Sequence, residues 1–192
     1  MSTSQLAAGI VIPILWISWL AYWAISARGV KENSWREPLA VQMRHRVPII
    51  LAAILLAGPR LVPGILTRRF VPVNPVIIWF GAALVAAGLG LAVWARRHLG
   101  RNWSSNVVVK ENHALIRTGP YSRVRHPIYT GIILAFVGVG LYIGEWRGLL
   151  AAVLVFLSFW IKSLAEEAQM RKIFPEYEQY RRESAALVPL VF

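Results

Sequence analysis

Apolar runs of roughly bilayer-spanning length recur along this chain, and that recurrence limits it to one class of fold. About 20 consecutive apolar residues, wound as a helix, cross the hydrocarbon core of a membrane. The first run extends from about Leu6 to Ala27. No basic region precedes it and it is long for a signal peptide, so a retained first helix is expected. The second, about Val47 to Leu66, is interrupted by Gly58, Pro59, Arg60 and Pro63. It reads either as a kinked span or as a shorter helix followed by a loop. The third, about Val73 to Ala95, has Pro72 and Pro75 at its start, and its Gly81, Gly88 and Gly90 suit close approach by a neighbouring helix. The fourth begins at Pro127, in the first turn where a missing N–H costs nothing, and ends near Ile143. "GEWRG" (Gly144 to Gly148) is a tight connection, so the fifth run, from about Leu149 to Ile161, returns antiparallel. It continues as the polar stretch "KSLAEEAQMRKIF" until Pro175.

Composition agrees. The chain is 57% hydrophobic and 16% charged, with a mean hydropathy of +0.52, more apolar surface than a soluble domain of 192 residues covers. The expected fold is an all-α integral membrane protein of about five transmembrane helices, with a C-terminal helical hairpin. The net charge of +12 is explained by Lys and Arg next to the membrane, facing anionic lipid, and nucleic acid is not an expected partner. Residues 28–46, 96–125 and 162–182 hold five, seven and five Lys and Arg, seventeen of the twenty-one. With five alternating helices these segments share one side, so the N-terminus is expected outside and the C-terminus in the cytoplasm. There is no Cys, and all nine acidic residues are Glu, which excludes disulfides and cysteine nucleophiles. His98, His113 and His126 lack metal-ligand spacing, so no metal is expected.

Chemistry is expected at the two cytoplasmic segments that follow the third and fifth helices. The connection from Arg96 to His126 is too long for a mere link; it contains Asn102, Trp103, His113, Gly119, Pro120 and Tyr121. Because the fourth and fifth helices form a hairpin, "RHPIY" (Arg125 to Tyr129) and the pair Glu166–Glu167 meet at one level. Each piece also has a plain reading: Arg123 and Arg125 satisfy the positive-inside rule, and a polar helical extension is often simply solvated. Carboxylates near a helix C-terminus, however, oppose its dipole. Adjacent residues point about 100° apart, so one glutamate is expected to face a pocket while the other pairs with Lys162 or Arg171.

"LGRNWSSNVVVKENHALIRTGPYSRVRHPIYTG", then a hairpin, then "EE", then "FPEYEQYRRE" resembles the isoprenylcysteine carboxyl methyltransferase family, whose wider relatives include membrane phospholipid methyltransferases. The resemblance covers about Leu99 to Pro189. It implies an enzyme using S-adenosylmethionine, released as S-adenosylhomocysteine, in a cytoplasm-facing pocket without a Rossmann domain, with a lipophilic substrate entering from the bilayer. By position, Leu115, Gly119, Tyr121, His126, Pro127, Tyr129, Glu166, Glu167, Tyr177 and Tyr180 would bind the cofactor, with the rings of Tyr121 and Tyr129 available to the sulfonium. Many members carry arginine where this chain has Lys162, and another before the final proline, where this chain reads "AALVP". Arg125 and Arg181 are then the candidates for holding an acceptor carboxylate, and with Glu167 they form the expected catalytic set.

The chain is thus expected to be a single membrane domain over residues 1–192. Residues 1–95 supply three N-terminal helices; residues 96–192 supply linker, hairpin and closing segment as the catalytic core. The expected function is S-adenosylmethionine-dependent methyl transfer to the carboxylate of a prenylcysteine-like compound, with phospholipid amine N-methylation as the alternative. A small transporter or channel subunit would predict charges inside the spans and repeated halves; only Arg60 fits the first and nothing fits the second. A structural or assembly protein would leave the long connection and the glutamate pair without a role.

Overall fold

A computed structural model describes residues 2–28, 39–58, 61–100 and 115–188. Asn102, Trp103 and His113 of the long connection, with Arg60 and Pro189, lie outside the described residues. The described chain is helical: α1 (Thr3–Ser26), α2 (Leu39–Ala57), α3 (Pro75–Leu99), a 3-10 turn (Gly119–Ser122), α4 (Pro127–Ile143), α5 (Trp146–Ile173) and α6 (Tyr177–Glu183). Among the described residues there are no strands, only isolated bridges between Arg69 and Glu145 and between Val124 and Ala185. Three helices, α1, α3 and α5, are long and apolar enough to cross a bilayer, and α4 is a shorter apolar helix. Together they make the chain an integral membrane protein.

α2 takes the second of its two expected forms, a shorter helix followed by a loop. It starts at Leu39 and ends at Ala57, with the Gly58 N–H on the Ile54 carbonyl at 2.9 Å. It carries Arg44, His45 and Arg46 within the helix, ahead of its apolar part.

The packing directions follow from contacts at both ends of each pair. α3 and α4 cross antiparallel where Gly81 meets Gly138 and Gly88 meets Gly131; a Cβ on Gly81 would stand 2.6 Å from the Gly138 carbonyl oxygen. α1 runs parallel to α3: Ala8 and Ile12 join Ile78, Ala82 and Val85, and at the other end Arg96 Nη2 donates to the Ser26 carbonyl at 2.5 Å. α2 runs antiparallel to α5, with the Ser158 hydroxyl on the His45 carbonyl at one end and Arg147 Nη1 on the Leu55 and Leu56 carbonyls, each at 2.9 Å, at the other. That guanidinium, buried and paired with Glu145 at 2.6 Å, serves carbonyls that the end of α2 leaves without helical partners.

The α4–α5 turn is as short as the sequence suggests. Gly144 caps α4 at φ 66°, a left-handed conformation that glycine adopts without strain. The first N–H groups of α5 are taken by the preceding loop, Trp146 N–H by the Arg68 carbonyl at 3.2 Å and Arg147 N–H by that of Leu66 at 2.8 Å. This hairpin places the start of α4 against the end of α5.

Candidate functional site

Past Ile161 the α5 helix leaves its apolar stretch and presents Lys162, Glu166 and Glu167 beside the first turn of α4. Pro127, fully buried, begins that turn, and Arg125 and His126 precede it. Both glutamates face this junction, where the sequence suggested one. Glu167 accepts from Arg125 Nε at 2.8 Å and lies 3.3 Å from His126 Nε2. Glu166 accepts from the Tyr129 hydroxyl at 2.6 Å and lies 3.4 Å from His126 Nδ1. The expected helical pairings form as well, Lys162 with Glu166 at 4.0 Å and Arg171 with Glu167 at 3.9 Å.

His126 therefore has a carboxylate at each ring nitrogen. Only the doubly protonated ring donates to both. Burial pushes its pKa down, but the hydrogen bonds and charges of Glu166 and Glu167 outweigh burial, and the net shift is upward. The site is an imidazole ring held between two carboxylates, which favour its protonated form.

Arg125 is equally enclosed. Its Nη1 donates to the Arg181 carbonyl at 3.0 Å and to the Ser184 carbonyl. Its own N–H reaches the Ala185 carbonyl at 2.8 Å, and the His126 N–H reaches that of Ala186 at 3.1 Å. The segment after α6 is thus laid alongside residues 123–126 as a short parallel bridge, and the Thr130 hydroxyl reaches the Leu187 carbonyl at 2.5 Å. Arg181 closes the cluster from α6, its Nε 3.6 Å from Glu167 Oε2. Arg123 is exposed, as a topology anchor would be.

The remaining expected residues form two adjoining groups. Tyr177 and Tyr180, both buried, pack with Phe174 and Leu115. Burial raises both phenol pKa values, that of Tyr180 to about 12, so both rings stay neutral. Tyr121 lies against Ala92, Ala95 and Ile128 at the end of α3, and Gly119 (φ 60°) lies against the His98 ring. The Tyr180 hydroxyl, on the Tyr121 carbonyl at 2.5 Å, ties the groups together. The Tyr129 ring is flanked by His126 (5.4 Å between centroids), Phe159 (4.5 Å) and Lys162 (Nζ 5.3 Å from its centroid), so it engages this site through its hydroxyl.

His45 is not among the residues that the sequence singles out. It is buried on α2, where its carbonyl accepts from the Ser158 hydroxyl of α5. Its signal was a histidine between two arginines at the edge of an apolar run, which reads in the sequence as part of a basic connection.

A helical membrane protein with a buried ionic cluster at the mouth of a C-terminal hairpin is the class that this geometry defines. The phospholipid methyltransferase family model matches residues 76–177, more than half of the chain and inclusive of α3 through the start of α6. The chain belongs to this family, and the resemblance drawn from its motifs stands. It is 33% identical over 96 residues to a protein-S-isoprenylcysteine O-methyltransferase of Schizosaccharomyces pombe, covering 48% of this chain and 41% of that one. It is 29% identical over 116 residues to the nickel-cobalt-cadmium resistance protein NccN of Alcaligenes xylosoxydans xylosoxydans (58% of this chain, 52% of that one). With the cobalt-zinc-cadmium resistance protein CzcN of Cupriavidus metallidurans it shares 26% identity over 151 residues (76% and 64%). The matched regions are about half the length of these relatives.

Proposed function

We propose that this chain is an S-adenosylmethionine-dependent membrane methyltransferase whose acceptor is lipophilic, the carboxylate of a prenylcysteine-like compound. The observation that carries the reading is the junction of α4 and α5, where Arg125, His126, Glu166 and Glu167 meet inside the region that matches the family. Its donor set suits the cofactor's chemistry: carboxylates for amino and ribose groups, and cationic Arg181 and Lys162 at its rim for a carboxylate. The Glu167 side chain is 5% exposed and held by Arg125 and His126, whereas that of Glu166 is 19% exposed. Glu166 is accordingly the carboxylate offered to the ligand, and Glu167, with Arg125, positions His126. Leu115, Gly119, Tyr121, Tyr177 and Tyr180 would form the apolar side of the pocket, and Pro127 fixes the start of α4.

When bound, S-adenosylmethionine supplies a methyl group on a sulfonium, open to in-line attack. The residues bind, orient and exclude water from the reactants. A carboxylate acceptor needs no base. A phospholipid amine must lose a proton; this second reading is favoured by the family match, and Glu166 is the base that the site would offer it.

The antiparallel run of α2 along α5, from the level of Ser158 to that of Arg147, supports five spans, and the Lys and Arg bias of residues 28–46, 96–125 and 162–182 supports an N-terminus outside and a site facing the cytoplasm. Titration calorimetry with S-adenosylhomocysteine on purified protein tests the cofactor. Stoichiometric binding is expected, weakened about tenfold or more in Glu166→Gln, Glu167→Gln and His126→Ala, since each removes a partner of a charged hydrogen bond. No binding by the wild type at millimolar ligand would remove the enzyme reading; wild-type affinity in all three variants would remove the site.

A further inference from the structure

The apolar belt that this bundle turns toward lipid is not of one height. One edge is marked at the start of α5, where exposed Trp146 stands with exposed Arg68 and Arg69, the Trp146 N–H meeting the Arg68 carbonyl. Tryptophan and basic side chains gather at membrane boundaries in this way. From that edge α5 shows apolar side chains outward through Val153, Leu157, Trp160 and Leu164, about 27 Å at 1.5 Å per residue and close to the ~30 Å of a hydrocarbon core. α2 shows much less. Its lipid-facing run of Val47, Ile50, Leu51 and Ile54 follows directly on Arg44 and Arg46, both exposed. The Ser158 hydroxyl on the His45 carbonyl sets these arginines level with Ser158, about 18 Å along α5 from Trp146. They therefore stand about 9 Å short of the level that Leu164 reaches on α5. Residues 44 and 46 lie about 200° apart around the helix, so the two cations flank its buried face on either side. Among the described residues neither forms an ion pair. A cation facing hydrocarbon is costly unless polar groups reach it. Both side chains tilt toward the N-terminus of α2, and so toward the near membrane surface, but each is shorter than the gap.

We propose that Arg44 and Arg46 are a docking surface for the phosphates of anionic phospholipids, which they draw down along α2 so that the bilayer thins on that side of the bundle. Two fixed guanidinium forks suit phosphate oxygens, and a phospholipid is the anion that a membrane brings to this face. The sign of the partner follows from two arginines that stay charged at any depth, and its kind follows from the apolar run that begins at Val47, which takes the tails. Local thinning is a modest cost that a bilayer meets where a hydrophobic surface is short. Heads held there lie level with the stacked rings of Tyr129 and Phe159, at the edge of the candidate site. A lipid in that leaflet would then reach the site without leaving the membrane. This last consequence rests on the methyltransferase reading; the contact of the arginines with phosphate does not.

The test is the depth of a nitroxide on Val47→Cys, read by power saturation with oxygen and a nickel chelate, in vesicles of phosphatidylcholine and phosphatidylglycerol. The chain has no cysteine of its own, so the label is single. In an undeformed bilayer whose edge lies at Trp146, Val47 would sit about 15 Å in, at the middle of the core. The label is expected instead at the level of the head groups. Arg44→Gln with Arg46→Gln should sink it by about 5 Å or more, whereas Arg44→Lys with Arg46→Lys, and Arg97→Gln at the exposed end of α3, should leave it in place. A label at mid-bilayer depth in the arginine-bearing protein would overturn the proposal. So would an interfacial label that the glutamine pair does not move, since α2 would then meet water without the help of its arginines. An equal shift in Arg97→Gln would overturn it too, by making the effect one of total charge. Should the glutamine pair fail to fold, the depth in the arginine-bearing protein, compared with that of the lysine pair, still decides. Binding of S-adenosylhomocysteine enters none of these outcomes, so failure of the methyltransferase reading would be seen separately.

Discussion

At the scale of single residues, the arrangement turns on His126 and its proton. Its folded-state pKa lies above the ordinary value of 6.5, because two carboxylates outweigh the effect of burial. The sign of the linkage follows. Below pH 6.5 both folded and unfolded states hold the proton, and the full stabilisation is present. Above it the unfolded state releases the proton first, so stability falls until the pH passes the raised folded value. Thermal unfolding in detergent should show a falling Tm as pH rises above 6.5, with a slope of at most about 1.4 kcal/mol per pH unit, the limit for one proton. His126→Gln should flatten that slope. A variant that keeps it would assign the pH dependence to another group. Arg125 answers a different need, since its donors join Glu167 to the carbonyls of Arg181 and Ser184 and so hold the end of the chain against the start of α4.

At the scale of helices, the two glycine pairs between α3 and α4 set how closely those helices approach. A Cβ at Gly88 would meet the Gly131 carbonyl and stand 2.7 Å from the Ala135 nitrogen, both backbone and unable to yield. Gly88→Ala should destabilise by about 1–3 kcal/mol through overpacking. Gly90, two residues on, has open space around its Cβ position, and Gly90→Ala should be neutral or stabilising, up to about 1 kcal/mol from helix propensity. Thermal denaturation of both variants checks the pair; equal losses would show that the crossing does not depend on Gly88. The same helices show which parts of the fold the sequence displays. α4 runs from Pro127 to Ile143, as expected, because a proline and a left-handed glycine punctuate it locally. α5 begins at Trp146, earlier than its apolar run suggests, because Arg147 is served by Glu145 and by carbonyls at the end of α2. That contact spans some ninety positions and leaves no local mark. α2 likewise extends back to Leu39 through Arg44, His45 and Arg46, which read in the sequence as connection. The meeting of Arg125, His126 and Glu167 was legible because the tight connection "GEWRG" forces it; His45 was not, because its place depends on how α2 packs against α5.

At the scale of the whole molecule, α1, α3 and α5 point one way and α2 and α4 the other. Among the described residues, Arg44 and Arg46 of α2, Arg96 and Arg97 of α3, and Arg171 and Lys172 of α5 therefore lie at one end of the bundle, that of the candidate site. Arg68 and Arg69, with the α4–α5 turn, lie at the opposite end. The absence of cysteine makes this arrangement measurable without first removing a thiol. Arg182 and Arg68 are both exposed, one beyond each end of α5, and Arg182→Cys and Arg68→Cys are expected to fold normally. If the site faces the cytoplasm, a membrane-impermeant maleimide should label Arg182→Cys in inverted vesicles and Arg68→Cys in right-side-out cells. The reverse pattern would place the site outside, where S-adenosylmethionine made in the cytoplasm would not reach it, and would count against the function as well as the topology. Labelling of both from one side would mean that α5 does not cross. On the cytoplasmic orientation, charge and chemistry would coincide: cationic segments held by anionic lipid at that face would also keep the mouth of the hairpin on the side where a methyl donor is made.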